Sequence, residues 1–368
     1  MTLTIFLAGD VMTGRGLDQI LPYPGDPSLY EPSMSSARDY VTLAEYVNGP
    51  IPKPVSFDYP WGDAITELAR RNAPVRIVNL ETAITANGHP ATAKQIHYRM
   101  NPLNMPIIAA AGVNCCVLAN NHMLDWGREG LLETLATLDG AGIGHAGAGH
   151  DLAEAMAPAA VALPGGGRVL VFAWGSETSG VPRGWAAQHD RAGVNHLGNL
   201  SVKSVTTMAQ QIQGVRRDGD IVIVSIHWGA NWGYRISGGQ RDFAHGLIDD
   251  AGVDIVHGHS SHHPVGIEVY RNCPILYGCG DFLNDYEGIG GYESYRPELV
   301  VMYLPTLDAR TRRLSRFEMI PFRIRNFRLE RASHDESEWL GSTLDRESRR
   351  FGARVVLGAE DTLALAWD

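Results

Sequence analysis

Residues 221–264 read IVIVSIHWGANWGYRISGGQRDFAHGLIDDAGVDIVHGHSSHHP. Ile221–Ile226 is a continuous apolar run, the pattern of a strand covered on both faces. Within Gln240–Ala251, the residues Phe243, Leu247, Ile248 and Ala251 fall on one face at helical spacing, which makes His245 incidental. Val253–Val256 reads as a second buried strand. A strand, a helix and a strand in this order form a unit of a parallel sheet. Both strands run directly into histidines: His227 after the first, and His257, His259, His262 and His263 at and beyond the end of the second.

Working outward, the same kind of apolar run recurs at Leu3–Ala8, Val75–Leu80, Asn114–Ala119, Val169–Ala173, Pro274–Tyr277 and Leu299–Leu304. Helical patterns lie between several of them, at Trp61–Arg71, Arg128–Ala141 and Val202–Arg217. The alternation predicts a layered α/β fold with much of its central sheet parallel. Five of the runs end in residues suited to metal binding or proton transfer. Leu3–Ala8 leads into Asp10, Val75–Leu80 into Glu81, and the run ending at Ala119 into Asn120-Asn121-His122. The other two are the histidine endings already quoted. In open α/β sheets the functional crevice lies outside the carboxyl ends of the strands, so these endings are expected to converge.

Composition narrows the function classes. The net charge of −10 disfavours a bulk nucleic-acid or anionic-membrane partner, both of which rely on basic patches. The cysteines Cys115, Cys116, Cys273 and Cys279 have no zinc-knuckle spacing, and no disulfide framework is expected at this chain size. Thr2–Gly9 lacks the basic flank and length of a secretory leader, and no run reaches the roughly 20 apolar residues of a spanning helix. A cytoplasmic protein without a membrane anchor is expected. The chain is divided into a main domain, 1–322, and a C-terminal appendage, 323–368, packed on it. Residues 22–60 carry eight prolines and read as an insertion near an active-site strand, either a functional loop or lid or a variable surface excursion.

Carboxylate, amide oxygen and imidazole together make a donor set for Zn, Mn or Fe. Taken singly, Asp10 and Glu81 read as caps and His227 as a core histidine. Four histidines within residues 257–263, joined to the shared strand-end placement, favour metal. No Gly-x-Ser-x-Gly elbow or dinucleotide fingerprint competes with that reading.

The segments Gly9-Asp-Val-Met-Thr-Gly-Arg15, Asn79-Leu-Glu81, Ala119-Asn-Asn-His-Met-Leu-Asp-Trp-Gly127, Ile226-His-Trp-Gly229 and Gly252–Pro264 resemble the CapA (poly-γ-glutamate capsule synthesis) branch of the calcineurin-like metallophosphoesterases. The resemblance implies a four-layer αββα fold and one or two divalent ions per chain. Asp10 and His262 would bind the first ion, Asn121, His227 and His259 the second, and Glu81 would bridge. His122 would assist the leaving group, with Asp125 holding its other ring nitrogen. The superfamily usually begins Asp-x-His, whereas this chain has Met12, which thins the first position. The histidine cluster is also one residue wider than usual, leaving His262 and His263 as alternatives; the spacing to Gly266-Ile267-Glu268 favours His262. Asp281, in Tyr277-Gly-Cys-Gly-Asp281-Phe, is expected to be structural or to support a ligand rather than to bind metal itself. Arg15, Arg99, Trp228 and Arg235 are candidates for holding a phosphate- or carboxylate-bearing substrate or a γ-glutamyl polymer. Two functions follow: a metal-dependent hydrolase, or an assembly protein that keeps the fold and binds the polymer without catalysis.

Overall fold

The computed structural model describes residues 2–92 and 94–367. Each apolar run quoted above lies on or overlaps a strand, and the helical patterns between them form helices Asp63–Arg71, Gly127–Gly140, Val202–Val215 and Gly238–Asp249. The last helix starts where the chain supplies a capping box. Ser237 Oγ accepts from the Gln240 N–H, and the Gln240 side chain accepts from the Ser237 N–H.

Among the described residues the strands form two large sheets. In the ten-stranded sheet, Thr2–Val11 lies centrally, parallel to Val75–Leu80 on one side and antiparallel to Leu299–Asp308 on the other. In the seven-stranded sheet, Arg168–Ser176, Ile221–His227 and Ile255–His259 run parallel in neighbouring positions.

Strand alternation explains the layering. Leu3, Ile5 and Leu7 of the large sheet pack with Val169, Val171, Ile221 and Ile223 of the small one, forming a core between the sheets. Phe6 and Ala8 face the other way, onto Leu68, Leu131 and Leu135 of the covering helices. Val222, Val224 and Ile226 likewise face Met208, Ile212, Phe243 and Leu247. The order helix, sheet, sheet, helix is the expected αββα arrangement.

Residues beyond 322 extend the large sheet. The strand Leu314–Arg325 spans the boundary drawn at 322, and Leu363–Trp367 pairs with it. Leu340 and Leu344 of the helix His334–Ser348 enter the core between the sheets. In the proline-rich insertion, the helix Ala37–Asn48 packs on the short helix Arg15–Ile20 beside the strand ends. None of the described helices is long and apolar enough to cross a membrane.

Candidate metal centre

Five strand ends meet at one crevice. Asp10 sits where the register of Thr2–Val11 slips against both parallel neighbours, a bulge that re-aims the side chain. Gly9 permits the close approach there, since a Cβ at that position would lie 1.8 Å from the Gly280 carbonyl oxygen. Glu81 follows Val75–Leu80, and its N–H donates to the Val11 carbonyl. Asn79 braces both acids: its amide donates to Asp10 Oδ1 at 2.7 Å and to Glu81 Oε2 at 3.3 Å. Asn120 holds Asn79 in turn through a 3.0 Å bond to Asn79 Oδ1.

The three histidines of the small sheet are oriented by a chain of hydrogen bonds. His257 Nε2 lies 2.9 Å from the Ala8 carbonyl, which can only accept, so Nε2 carries the proton and Nδ1 accepts. Ser225 Oγ–H then donates to His257 Nδ1 at 3.1 Å, and His259 Nε2–H donates to Ser225 at 2.8 Å. The His259 Nδ1 lone pair is thereby aimed into the crevice, 2.8 Å from His227 Nδ1 and 3.9 Å from Asp10 Oδ1. His227 Nε2 lies 3.0 Å from Asn121 Oδ1 and 3.8 Å from Glu81 Oε1.

His122 stands beside this group with Nε2 3.7 Å from Glu81 Oε1. Its Nδ1–H donates to Asp125 Oδ2 at 2.6 Å, and Asp125 Oδ2 also accepts from the Tyr98 N–H. Burial lowers the His122 pKa to about 4, with Lys94 adding to the effect and Asp125 opposing it. Burial by itself would raise the Asp125 pKa, but His122 and Lys94 outweigh it and hold the carboxyl below its ordinary range. Lys94 Nζ donates to Asp125 Oδ1 at 2.6 Å and to the Asn121 carbonyl.

The donor chemistry fits a cation. As its neighbours are oriented, neutral His227 has one proton for two acceptor contacts, at His259 Nδ1 and Asn121 Oδ1. Burial holds its pKa well below the usual range, so a second proton is disfavoured. Asp10 Oδ2 is buried without a hydrogen-bond partner. Burial, then Asp281, raises the Asp10 pKa to about 7. Burial, then Asp10, drives Glu81 well above its ordinary range. Buried carboxylates crowded this closely are normally matched by a positive charge or a metal. One donor atom each from Asp10, His227 and His259 lies within 4.8 Å of the others, and the same holds for Asp10, His262 and Asp281.

The wider histidine segment is accommodated at Ser260, whose φ of +107° turns the chain so that His262 returns to the crevice. His262 Nδ1 lies 2.9 Å from Asp281 Oδ1. His263 points elsewhere, accepting from the Gly233 N–H at 3.1 Å and stacking on Tyr295.

The candidate substrate contacts fare differently. Trp228 is 2% exposed, lies against Phe243 and Tyr277, and donates to the Tyr277 carbonyl, so it belongs to the outer core and not to a pocket wall. Alternation is the reason: His227 faces inward, so the next residue faces the helices. Arg15 is buried and already bound, bidentately to Asp285 and singly to Glu31 and Tyr40. Arg99 stacks 3.7 Å over Trp126 and pairs with Asp26, outside the crevice. Arg235 is exposed on the loop after His227. Beside the crevice lies a cleft of about 420 Å³, bounded by Tyr98, Trp232, His262, Tyr286 and Tyr292. The insertion contributes Glu31, Pro32 and Ser33 to its rim.

Asn79, Lys94 and Tyr98 were not singled out by sequence. Asn79 had a signal, because it shares a strand face with Glu81 two residues on. Lys94 and Tyr98 arrive from a loop, which carries no such periodicity.

The layering and the crevice define an αββα protein with a cluster of metal-type donors at its strand ends. Within that class, residues 4–286 match the family described as bacterial capsule synthesis protein PGA_cap, and the chain belongs to it. It is 51% identical over 362 residues to a probable polyglutamine synthesis accessory protein of Mycobacterium tuberculosis, covering 98% of this chain and 95% of the relative. It is 24% identical to the PGA biosynthesis protein CapA of Bacillus subtilis, over 88% of this chain and 72% of that one. Among solved structures it is similar to a phosphatase from Mycoplasma pneumoniae, with a TM-score of 0.45 and 11% identity over 87% of this chain and 93% of that one.

Proposed function

We propose that this protein is a metal-dependent hydrolase that cleaves a phosphate ester, an acyl phosphate or a related amide during poly-glutamate or capsule synthesis. The observation that carries the reading is the buried crevice in which Asp10, Glu81, Asn121, His227, His259 and His262 converge. Asp10, Glu81 and His262 would hold one divalent ion, and Glu81, Asn121, His227 and His259 a second, of the Mn, Zn or Fe type. Such ions, when bound, polarise a phosphoryl or acyl group and make water acidic enough to attack at neutral pH.

The remaining work falls to side chains. Asp125 fixes the His122 tautomer with the proton on Nδ1, leaving Nε2 toward the space beside Glu81. Without an anion in the crevice, burial keeps His122 neutral. An arriving phosphoryl or carboxylate group acts in the opposite sense and favours the protonated ring. His122 then donates from Nε2 to the leaving oxygen or nitrogen. Lys94 ties the loop before Tyr98 to the Asn121-His122 turn and steadies both residues. With its four cysteines free, the protein suits the reducing cytoplasm.

The second reading, a non-catalytic assembly or polymer-binding role, is favoured by Met12 in place of the usual histidine. The relatives' designation as an accessory protein also suits it. Assays of mono- and diesters, acyl phosphates and γ-glutamyl amides with Mn, Zn and Fe separate the two. Hydrolysis that is lost in His122→Ala and Asn121→Ala supports the enzyme. No turnover with any metal, alongside polymer binding that survives both substitutions, supports the assembly role.

A further inference from the structure

We propose that Asp281 is itself a ligand of the first metal position, standing in for the histidine that Met12 replaces; this rests on the two-metal reading above. Asp281 opens the short strand Asp281–Leu283, which runs parallel to Thr2–Val11 and sets Asp281 opposite Asp10. The absent side chain at Gly9 is what lets the two strand ends meet, because a Cβ would strike the Gly280 carbonyl.

Asp281 is 1% exposed, and its hydrogen-bond partners are His262 and Asn284, neither of them a lysine or arginine. The 2.9 Å between Asp281 Oδ1 and His262 Nδ1 is near the roughly 3 Å that separates two donors set at right angles about one ion. Asp10 Oδ2, the third corner, is buried and unpartnered. Met12 does not compete: its Sδ accepts from the Tyr286 hydroxyl at 3.4 Å, and a thioether is a poor ligand for hard ions.

The substitution changes the balance of donors at the first position. With Asp281 the first position offers three carboxylates, from Asp10, Glu81 and Asp281, and one imidazole. The second offers one carboxylate, one amide and two imidazoles. Oxygen-rich sites suit Mn²⁺ and nitrogen-rich sites suit Zn²⁺. The first position is therefore the better match to Mn²⁺ by donor type, and the second to Zn²⁺.

The test uses the full chain stripped of metal and titrated with Mn²⁺, free ion being read by electron paramagnetic resonance. The wild type is expected to bind two equivalents. Asp281→Asn keeps an acceptor for His262 but loses the charge. It should shed one equivalent or bind it weaker by more than the roughly 10- to 100-fold that follows loss of a hydrogen-bonding partner. The equivalent it retains, in the second position, reports that the variant is folded. Adding Met12→His should restore the lost equivalent, because a new ligand replaces a ligand but does not reorient His262. Two equivalents at wild-type affinity in Asp281→Asn would reduce Asp281 to a support for His262 and overturn the proposal. A wild type holding one equivalent, lost in Asn121→Ala and unaffected by Asp281→Asn, overturns it while leaving a metal site. A wild type that binds no Mn²⁺ overturns the two-metal reading as well.

Discussion

Removing metal should cost the fold a measurable and pH-dependent part of its stability. Asp10 and Glu81 are buried beside one another, and the unliganded protein relieves them by raising their pKa values. The sign follows from Asp10, which titrates at about 7 in the folded chain against 3.8 when unperturbed. The folded state then binds the proton more tightly than the unfolded one, so metal-free stability falls as pH rises between those values. A bound cation replaces the proton and cancels that loss. At a hundredfold excess over its dissociation constant, each ion adds about 2.7 kcal/mol. An unfolding entropy of about 2.1 cal/mol/K per residue over 368 residues converts this to roughly 3–4 °C in Tm per ion, or about 7 °C for two. The assay is thermal unfolding by circular dichroism, in chelator and in excess Mn²⁺, at about pH 5 and about pH 8. The gap between the two curves should widen toward the higher pH. Melting temperatures within about 1 °C of each other at the higher pH, or a gap that shrinks on raising it, would refute the reasoning.

Three further outcomes are expected. His122→Ala should lower kcat by roughly 10²–10⁴-fold with bound metal unchanged in elemental analysis, since its ring lies beside the donor cluster and not within it. Arg15→Ala leaves Asp285 and Glu31 without their cation and should destabilise by about 3–5 kcal/mol in urea unfolding, because both carboxylates are nearly fully buried. Trp228→Ala should cost about 3–5 kcal/mol by the same measurement while KM per folded molecule stays unchanged, the opposite of what a pocket-wall residue would do.

Much of the fold was legible because the signals that specify it are local. Continuous apolar runs of strand length, alternating with helical faces such as Phe243, Leu247 and Ile248, define buried parallel strands and their covering helices. Strand-end residue types were legible for the same reason, and Asp10, Glu81, Asn121, His122 and His227 all reach one crevice. Trp228 shows a local signal passed over: period-two alternation from His227 already turns it outward.

What the sequence by itself determined, then, was the set of donor types that strand geometry delivers to one edge of the fold. Which donors lie close enough together to share an ion was decided only by tertiary structure. The bulge at Asp10, the positive φ at Ser260 and the pairing of Asp10 with Asp281 join segments far apart in the chain. The same holds for Arg15, for which sequence left an anion contact and a structural salt bridge both open until Asp285 and Glu31 were found folded against it. Asp281 is the clearest case. Its side chain type was visible from the start, but its place opposite Asp10 depends on two strand ends approaching across a missing Cβ at Gly9, a distance no local pattern encodes.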